Sequence, residues 1–581
     1  MRIRRKVLAA VSSLALAAAM LAGCSTSSGD AVAATPAAVT STVDGTQNAA
    51  AVLAADKEVH SAGSDEAGVT GTITLTGASA TSGAEGVTVD GNTVTITAAG
   101  TYTISGELAG QIVVNAPDAT VTLILDGAAI TSTDRAAIAA TEVKELVVQL
   151  AAGSANTLAD TTSYATDADV DAALFSAGDL TVNGDGKLTV TGNANDAIAA
   201  KDGLLIESGT ISVTAKDDGI RGKDYVVVTG GTITVTAGGD GIKADNDEDT
   251  ERGYVSVSAG TITVTSGGDG VDAATDVVVT GGTITVTSGG GLASAASLAA
   301  DVSAKGLKSG VITVLEGGTV AVNAADDAVH SDGAIHLNGA KVTVGSGDDG
   351  VHAEGQLIVD AGSVTVASAV EGLEAAQIVL NDGSVSVTTS DDGVNATSSS
   401  SSSSSEPSVT VNGGTLVINA DGDGLDSNGT ASITGGTVVV NGPEGNGNGA
   451  LDVDATFTIS GGILLAAGSS GMAVTPDAES AQAWLSATVD SAIPAGTTIQ
   501  ITDSDGTVVG TFTTSKSTQN ITYSSPAVKP GGKYTISTGG TASGTVTGGL
   551  AASGTLGSAT QVATVTAGSA PAGGGRGFGR R

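Results

Sequence analysis

The sequence predicts an all-β solenoid, a parallel β-helix of about 22 residues per turn with a C-terminal β cap, and three features carry that prediction. First, one acidic phrase keeps returning: Asp217-Asp218-Gly219-Ile220-Arg221, Gly239-Asp240-Gly241-Ile242-Lys243, Gly268-Asp269-Gly270-Val271-Asp272, Asp326-Asp327-Ala328-Val329-His330, Asp348-Asp349-Gly350-Val351-His352, Asp391-Asp392-Gly393-Val394-Asn395 and Gly422-Asp423-Gly424-Leu425-Asp426. Second, its spacing is regular, with Asp196, Asp218 and Asp240 at steps of 22 residues and Asp327, Asp349 and Glu371 likewise. Third, short alternating runs such as 230–236, opened by Gly-Gly-Thr, lie between the phrases and read as strands with one buried face. Gly, Asn and Asp mark the corners, where Gly permits positive φ. A unit of this size cannot bury its Val and Ile alone; units stacked about 4.8 Å apart can.

The elements follow in order. Residues 1–24 read as a lipoprotein signal peptide: Arg2, Arg4, Arg5 and Lys6, an apolar run over 7–21 too short for a stable span, then Leu21-Ala22-Gly23-Cys24. Cys24 is the only cysteine, which excludes an internal disulfide and makes it the expected lipidation site. The expected location is therefore the extracellular face of the cell membrane, held by a lipid anchor. Residues 25–68, rich in Ala, Ser, Thr and Gly, are expected to form a flexible tether. The β-helix is expected over 69–475, with irregular first turns at 71–75, 93–96, 121–125 and 143–150 and a polar loop over 156–173. A β cap is expected over 476–567, because an open solenoid end exposes its core and strand edges, and a disordered Gly/Arg tail over 568–581.

The net charge of −38 excludes nucleic acid and anionic lipid as binding surfaces and favours divalent cations. Aromatic residues make up only 2%, with one Trp, which leaves little with which to build a flat sugar platform. The chain is expected to act as a monomer. If the register holds, the phrase carboxylates stack and repel one another unless cations neutralise them. Their oxygen chemistry suits Ca²⁺. The expected calcium ligands are Asp218, Asp240, Asp245, Asn246 and Asp247, with Asp269 and Asp272 one turn on. A second cluster holds Asn448 and Asp452 near Asp423 and Asp426. The competing explanation is that these residues simply form corners, since Asp-Gly is a common tight-turn pair. His330 and His352 should also stack; they are read as outward, solvent-facing positions, with a transition-metal pair or part of a sugar site as the alternatives.

The run 238–249, the run Gly445-Asn446-Gly447-Asn448-Gly449-Ala450-Leu451-Asp452, Tyr523-Ser524-Ser525-Pro526 and the Gly-Arg-rich end resemble bacterial carbohydrate-binding domain proteins of the cellulosome-associated β-helix type. The resemblance spans about residue 70 to the C-terminus. It implies a right-handed parallel β-helix shaped like pectate lyases, bound calcium, and binding of cellulose or a polygalacturonate-like acidic plant polysaccharide without established cleavage. The serine run 398–405 and the insert around 297–310 depart from that pattern. The expected function is surface-anchored, calcium-dependent polysaccharide binding, and no catalytic residue is assigned. One alternative is a polysaccharide lyase, whose base would come from Arg221, Lys243, Lys305 or Lys308. Another is an ice- or crystal-binding adhesin built on the threonines of 232–236, 261–265 and 283–287.

Overall fold

The computed structural model describes residues 43–61, 70–165, 168–300, 302–398 and 406–570. Cys24, the signal sequence and residues 571–581 lie outside the described residues. The fold is a parallel β-helix. Three strands make a turn: Ile220–Gly222, Tyr225–Val228 and Thr232–Ala237 are one example. Each pairs in parallel with its counterpart in the next turn, Ile220 on Ile242, Val226 on Val255 and Thr232 on Thr261. The solenoid therefore has three faces, named here the phrase face, the strap face and the threonine face.

Alternation explains the threonine face. Ile233 and Val235 point into the core while Thr232, Thr234 and Thr236 are exposed. The inward Val, Ile and Leu of all three faces merge into one continuous apolar column. The second glycine of Gly-Gly-Thr turns the corner before the threonine strand with positive φ, 91° at Gly231 and 82° at Gly282, a conformation that penalises a Cβ. The glycine inside the acidic phrase has a different role. A Cβ at Gly241 would press on the Val264 side chain and lie 2.5 Å from the Gly270 carbonyl oxygen, so this position needs close approach between turns rather than a special φ.

Two regions differ from expectation. The stretch 156–173 is not simply a loop: Ala155–Ala159 is a strand paired in parallel with Lys187–Gly192. Residues 43–61, expected within the tether, run along the strap face instead. The Gly45 N–H donates to Gln356 Oε1, and the Ala49 N–H donates to Glu316 Oε2. A short helix, Ala49–Leu53, is capped by Asn48 and buries Ala49 and Val52 against Val278, Ile312 and Val314. Further along, Lys57 pairs with Asp224 at 2.6 Å, the Tyr254 hydroxyl donates to the Lys57 carbonyl, and the His60 N–H donates to the Tyr225 hydroxyl. Apolar contact and buried polar pairing together fix this strap, which a composition rich in small residues did not suggest.

At the far end, Ile463–Gly468 pairs antiparallel with Thr518–Ser524, which pairs in turn with Trp484–Ile493. A six-stranded antiparallel sheet formed from strands between 498 and 566 follows. Its core includes Ile499, Ile501, Phe512 and Ile536 and continues onto Val439 and Leu465 of the last turns.

Candidate functional site

The phrase face carries two parallel columns of polar side chains. The first descends through Asp196, Asp218, Asp240, Asp269, Lys305, Asp327, Asp349, Glu371, Asp392 and Asp423. Three residues further along each turn, the second descends through Arg221, Lys243, Asp272, Lys308, His330, His352, Glu374, Asn395, Asp426 and Asp452, all in register.

The aspartates of the first column are rungs between turns. Asp218 Oδ1 accepts the Asp240 N–H at 2.8 Å, Asp240 Oδ1 the Asp269 N–H at 2.7 Å, and Asp269 Oδ1 the Lys305 N–H at 2.7 Å. Asp327, Asp392 and Asp423 do the same for the turns below them. One carboxylate oxygen is thus committed to the neighbouring backbone, and at Asp218, Asp240, Asp269 and Asp327 the other meets a side chain of the second column. Neither the corner explanation nor the calcium expectation contained this arrangement.

Where calcium was first expected, the chain supplies its own cations. Lys243 Nζ lies 2.7 Å from Asp240 and 3.3 Å from Asp218. Lys308 sits between Asp272 at 2.9 Å and Asp269 at 3.3 Å. Arg221 pairs with Asp245 at 2.9 Å and with Asp196 at 3.2 Å. Asn246 turns away to donate to Asp224 Oδ1, and Asp247 is exposed to solvent. The first set is therefore dispersed among ion pairs and does not form one ligand shell. Burial acts to lower the lysine pKa at Lys243, but the hydrogen bond and charge of Asp240 outweigh it and hold the ammonium group charged; Asp272 and Asp269 do the same for Lys308. Lys305, within 2.6 Å of Asp327, is raised in the same way. Groups held charged are poor general bases.

Below Lys308 no lysine or arginine occurs in either column as far as Asp452. Two histidines come first. Their expected outward exposure is corrected by the structure: His330 is only 8% exposed, with its ring 4.9 Å from that of His352. His330 Nδ1 lies 2.9 Å from Asp327 and its Nε2 lies 3.0 Å from Asp332. Burial opposes protonation there, but these hydrogen bonds win and push His330 up to about 9. After the histidines the columns are wholly acidic or neutral. Burial pushes Asp392 up to about 7, with Asp391 and Asp423 adding to the repulsion. Burial, then the charges of Asp392, Asp452 and Asp423, pushes Asp426 up to about 8; burial and Asp423 push Asp452 up to about 6. This half of the second expected cluster is brought together, since Asp426 stacks in register on Asp452 and Asn448 lies in the adjoining loop beside Gly449, whose N–H binds Asp423.

On the threonine face, Thr232, Thr261 and Thr283 align, but Ala321 and Asn323 interrupt the outward rows one turn later. The strap face holds the feature that sequence reasoning missed, Tyr225 stacked on Tyr254 at 5.3 Å beneath the strap. Val226-Val227-Val228 and Val277-Val278-Val279 lack alternation, and that was the available signal that both sides of these strands are covered.

Fold and columns together define a β-helical protein that displays a file of carboxylates along one face. The family model for "Carbohydrate-binding domain-containing protein" matches residues 90–350 and 345–570, and the chain belongs to this family. A relative of the same description from Acetivibrio thermocellus is 36% identical over 137 residues, which is 22% of this chain and 48% of the relative. The chain thus spans about half the length of that curated relative. A solved structure described as the polysaccharide lyase-like protein from C. thermocellum, a gadolinium derivative, is 34% identical and covers 38% of this chain and 92% of that one, with a TM-score of 0.38.

Proposed function

We propose that this protein binds an acidic, polygalacturonate-like polysaccharide through calcium held at the C-terminal half of the phrase face. The observation that carries this reading is the change along the columns: lysine and arginine balance the aspartates as far as Lys308, and among the described residues no such side chain pairs with Asp392, Asp423, Asp426 or Asp452. Carboxylates stacked in register repel one another, and a hard divalent cation with six to eight oxygen ligands relieves that repulsion. Asp426 and Asp452, stacked in register, with Asp423 and Asn448 on neighbouring positions, would supply the carboxylate and amide oxygens for such an ion. Calcium that keeps open positions toward solvent can take uronate carboxylates as further ligands, so an anionic glycan and an anionic protein meet across the ion.

Cellulose is the less favoured ligand. Sugar faces without charge are commonly held by aromatic side chains, and Tyr225, Tyr254, Phe457, Phe512 and Trp484 are all buried. Binding rather than cleavage is favoured as well, because Lys243, Lys305, Lys308 and Arg221 are all engaged by carboxylates. A lipid at Cys24 would hold the domain at the cell surface. A glycan array probed with and without EGTA tests the proposal: retention on polygalacturonate that EGTA abolishes supports it, and EGTA-insensitive binding or selective retention on cellulose counts against it.

A further inference from the structure

We propose a second metal site, distinct from the calcium site, in which Asp349, His352 and Glu374 hold a zinc-class divalent transition metal with the Asn395 side-chain oxygen as an added ligand. One carboxylate oxygen from Asp349, one ring nitrogen from His352 and one carboxylate oxygen from Glu374 lie within 4.8 Å of one another. His352 Nδ1 is 2.9 Å from Asp349 Oδ2, a separation also found between adjacent ligands of one metal ion with bonds of about 2.0–2.2 Å. The other ring nitrogen lies 3.7 Å from Glu354 Oε1, so a small rotation of this carboxylate would let it accept from a metal-bound imidazole.

Asn395 supplies the independent observation. It is the register partner of Glu374 and only 9% exposed. Its Nδ2 donates to Glu371 Oε2 at 2.8 Å, which fixes which end of the amide is oxygen, yet among the described residues that buried Oδ1 has no hydrogen-bond partner. Buried polar atoms are almost always satisfied. Such an amide oxygen, on the turn next to Glu374, is a competent ligand for a cation.

The turn above is less suitable. Asp327, His330 and His352 also converge, but Lys305 Nζ already contacts Asp327 at 2.6 Å and Asp332 engages His330 at 3.0 Å. The donor chemistry separates this site from the calcium site as well: imidazole nitrogen suits zinc and its neighbours, while calcium takes oxygen ligands.

The test uses the full chain carrying Cys24→Ser, so that the thiol does not compete for metal. The protein is stripped with chelator, saturated with excess calcium and titrated calorimetrically with zinc chloride. One saturable zinc site is expected to persist in calcium. His352→Gln and Glu374→Gln should each weaken it at least about tenfold, and His330→Gln should leave it within about twofold. Cobalt added to the unmutated site should give visible absorption bands characteristic of nitrogen ligation, a readout that does not depend on any variant folding. Loss of the zinc heat in excess calcium, absence of cobalt bands, or an equal loss in His330→Gln would overturn the site. None of these outcomes bears on polygalacturonate binding, which is measured in calcium alone.

Discussion

Replacing Asp426 by Asn removes one charge from the unbalanced column while keeping nearly the same shape. In the fold, burial and the charges of Asp392, Asp452 and Asp423 push this carboxyl up to about 8, against about 3.9 in an unfolded chain. Between those values the folded protein binds more proton than the unfolded chain, so Asp426 lowers stability progressively as pH rises from about 4 to about 8. At about 1.4 kcal/mol per tenfold, the full penalty reaches about 6 kcal/mol; solvent reaching this partly exposed side chain reduces it to roughly 2 kcal/mol. For a chain of this size that corresponds to a melting shift of about 2 °C. Calorimetric melting in EGTA should therefore show the wild type losing stability between pH 4 and pH 8 more steeply than Asp426→Asn. Calcium at about a hundredfold over its dissociation constant should return about 2.7 kcal/mol to the wild type and much less to the variant. Parallel pH profiles for the two proteins in EGTA would refute the reasoning.

Three other outcomes follow from named contacts. Asp240→Ala should cost about 1–3 kcal/mol in denaturant unfolding, because it strips the acceptor from the Asp269 N–H, whereas Asp240→Asn keeps an oxygen there and should cost less than half as much; equal costs would show that the rung contributes nothing. Lys57→Ala leaves Asp224 with Arg252 and Asn246 but removes the strap's ion pair, so amide exchange over 49–56 should quicken several-fold while the solenoid strands stay protected; unchanged exchange would mean that apolar contact alone holds the strap. Cys24→Ser should move the protein out of the membrane fraction or leave it unprocessed, and unchanged fractionation would remove the lipid anchor from the picture.

The solenoid was legible because its core is written in the alternation of strands such as Thr232–Ala237 and in the return of one phrase every 22 residues. The two columns were legible only as a file of aspartates. What neutralises each aspartate depends on register: Lys243 serves Asp218 in the preceding turn, and Lys308 serves Asp269 across the long connection between Thr283–Ser288 and Leu307–Ser309. Local sequence placed the calcium where acidic residues were densest, around 240–249, and register placed protein cations there instead. His330 looked outward by alternation but is enclosed by Asp327, Asp332 and its stacked neighbour. The strap was hidden for another reason. Its own sequence has only scattered apolar residues, Val43, Val52, Leu53 and Val59, and the stronger signal lay far away in strands with no polar side.

The most direct measurement is the affinity for polygalacturonate of wild type and of the double variant Asp426→Asn, Asp452→Asn, each with calcium and with EGTA. Calcium-dependent binding by the wild type that falls at least about tenfold in the double variant, with both proteins equally folded, is the expected result. Equal affinity in the two proteins, or wild-type binding that survives EGTA, would contradict a calcium bridge at this end of the columns.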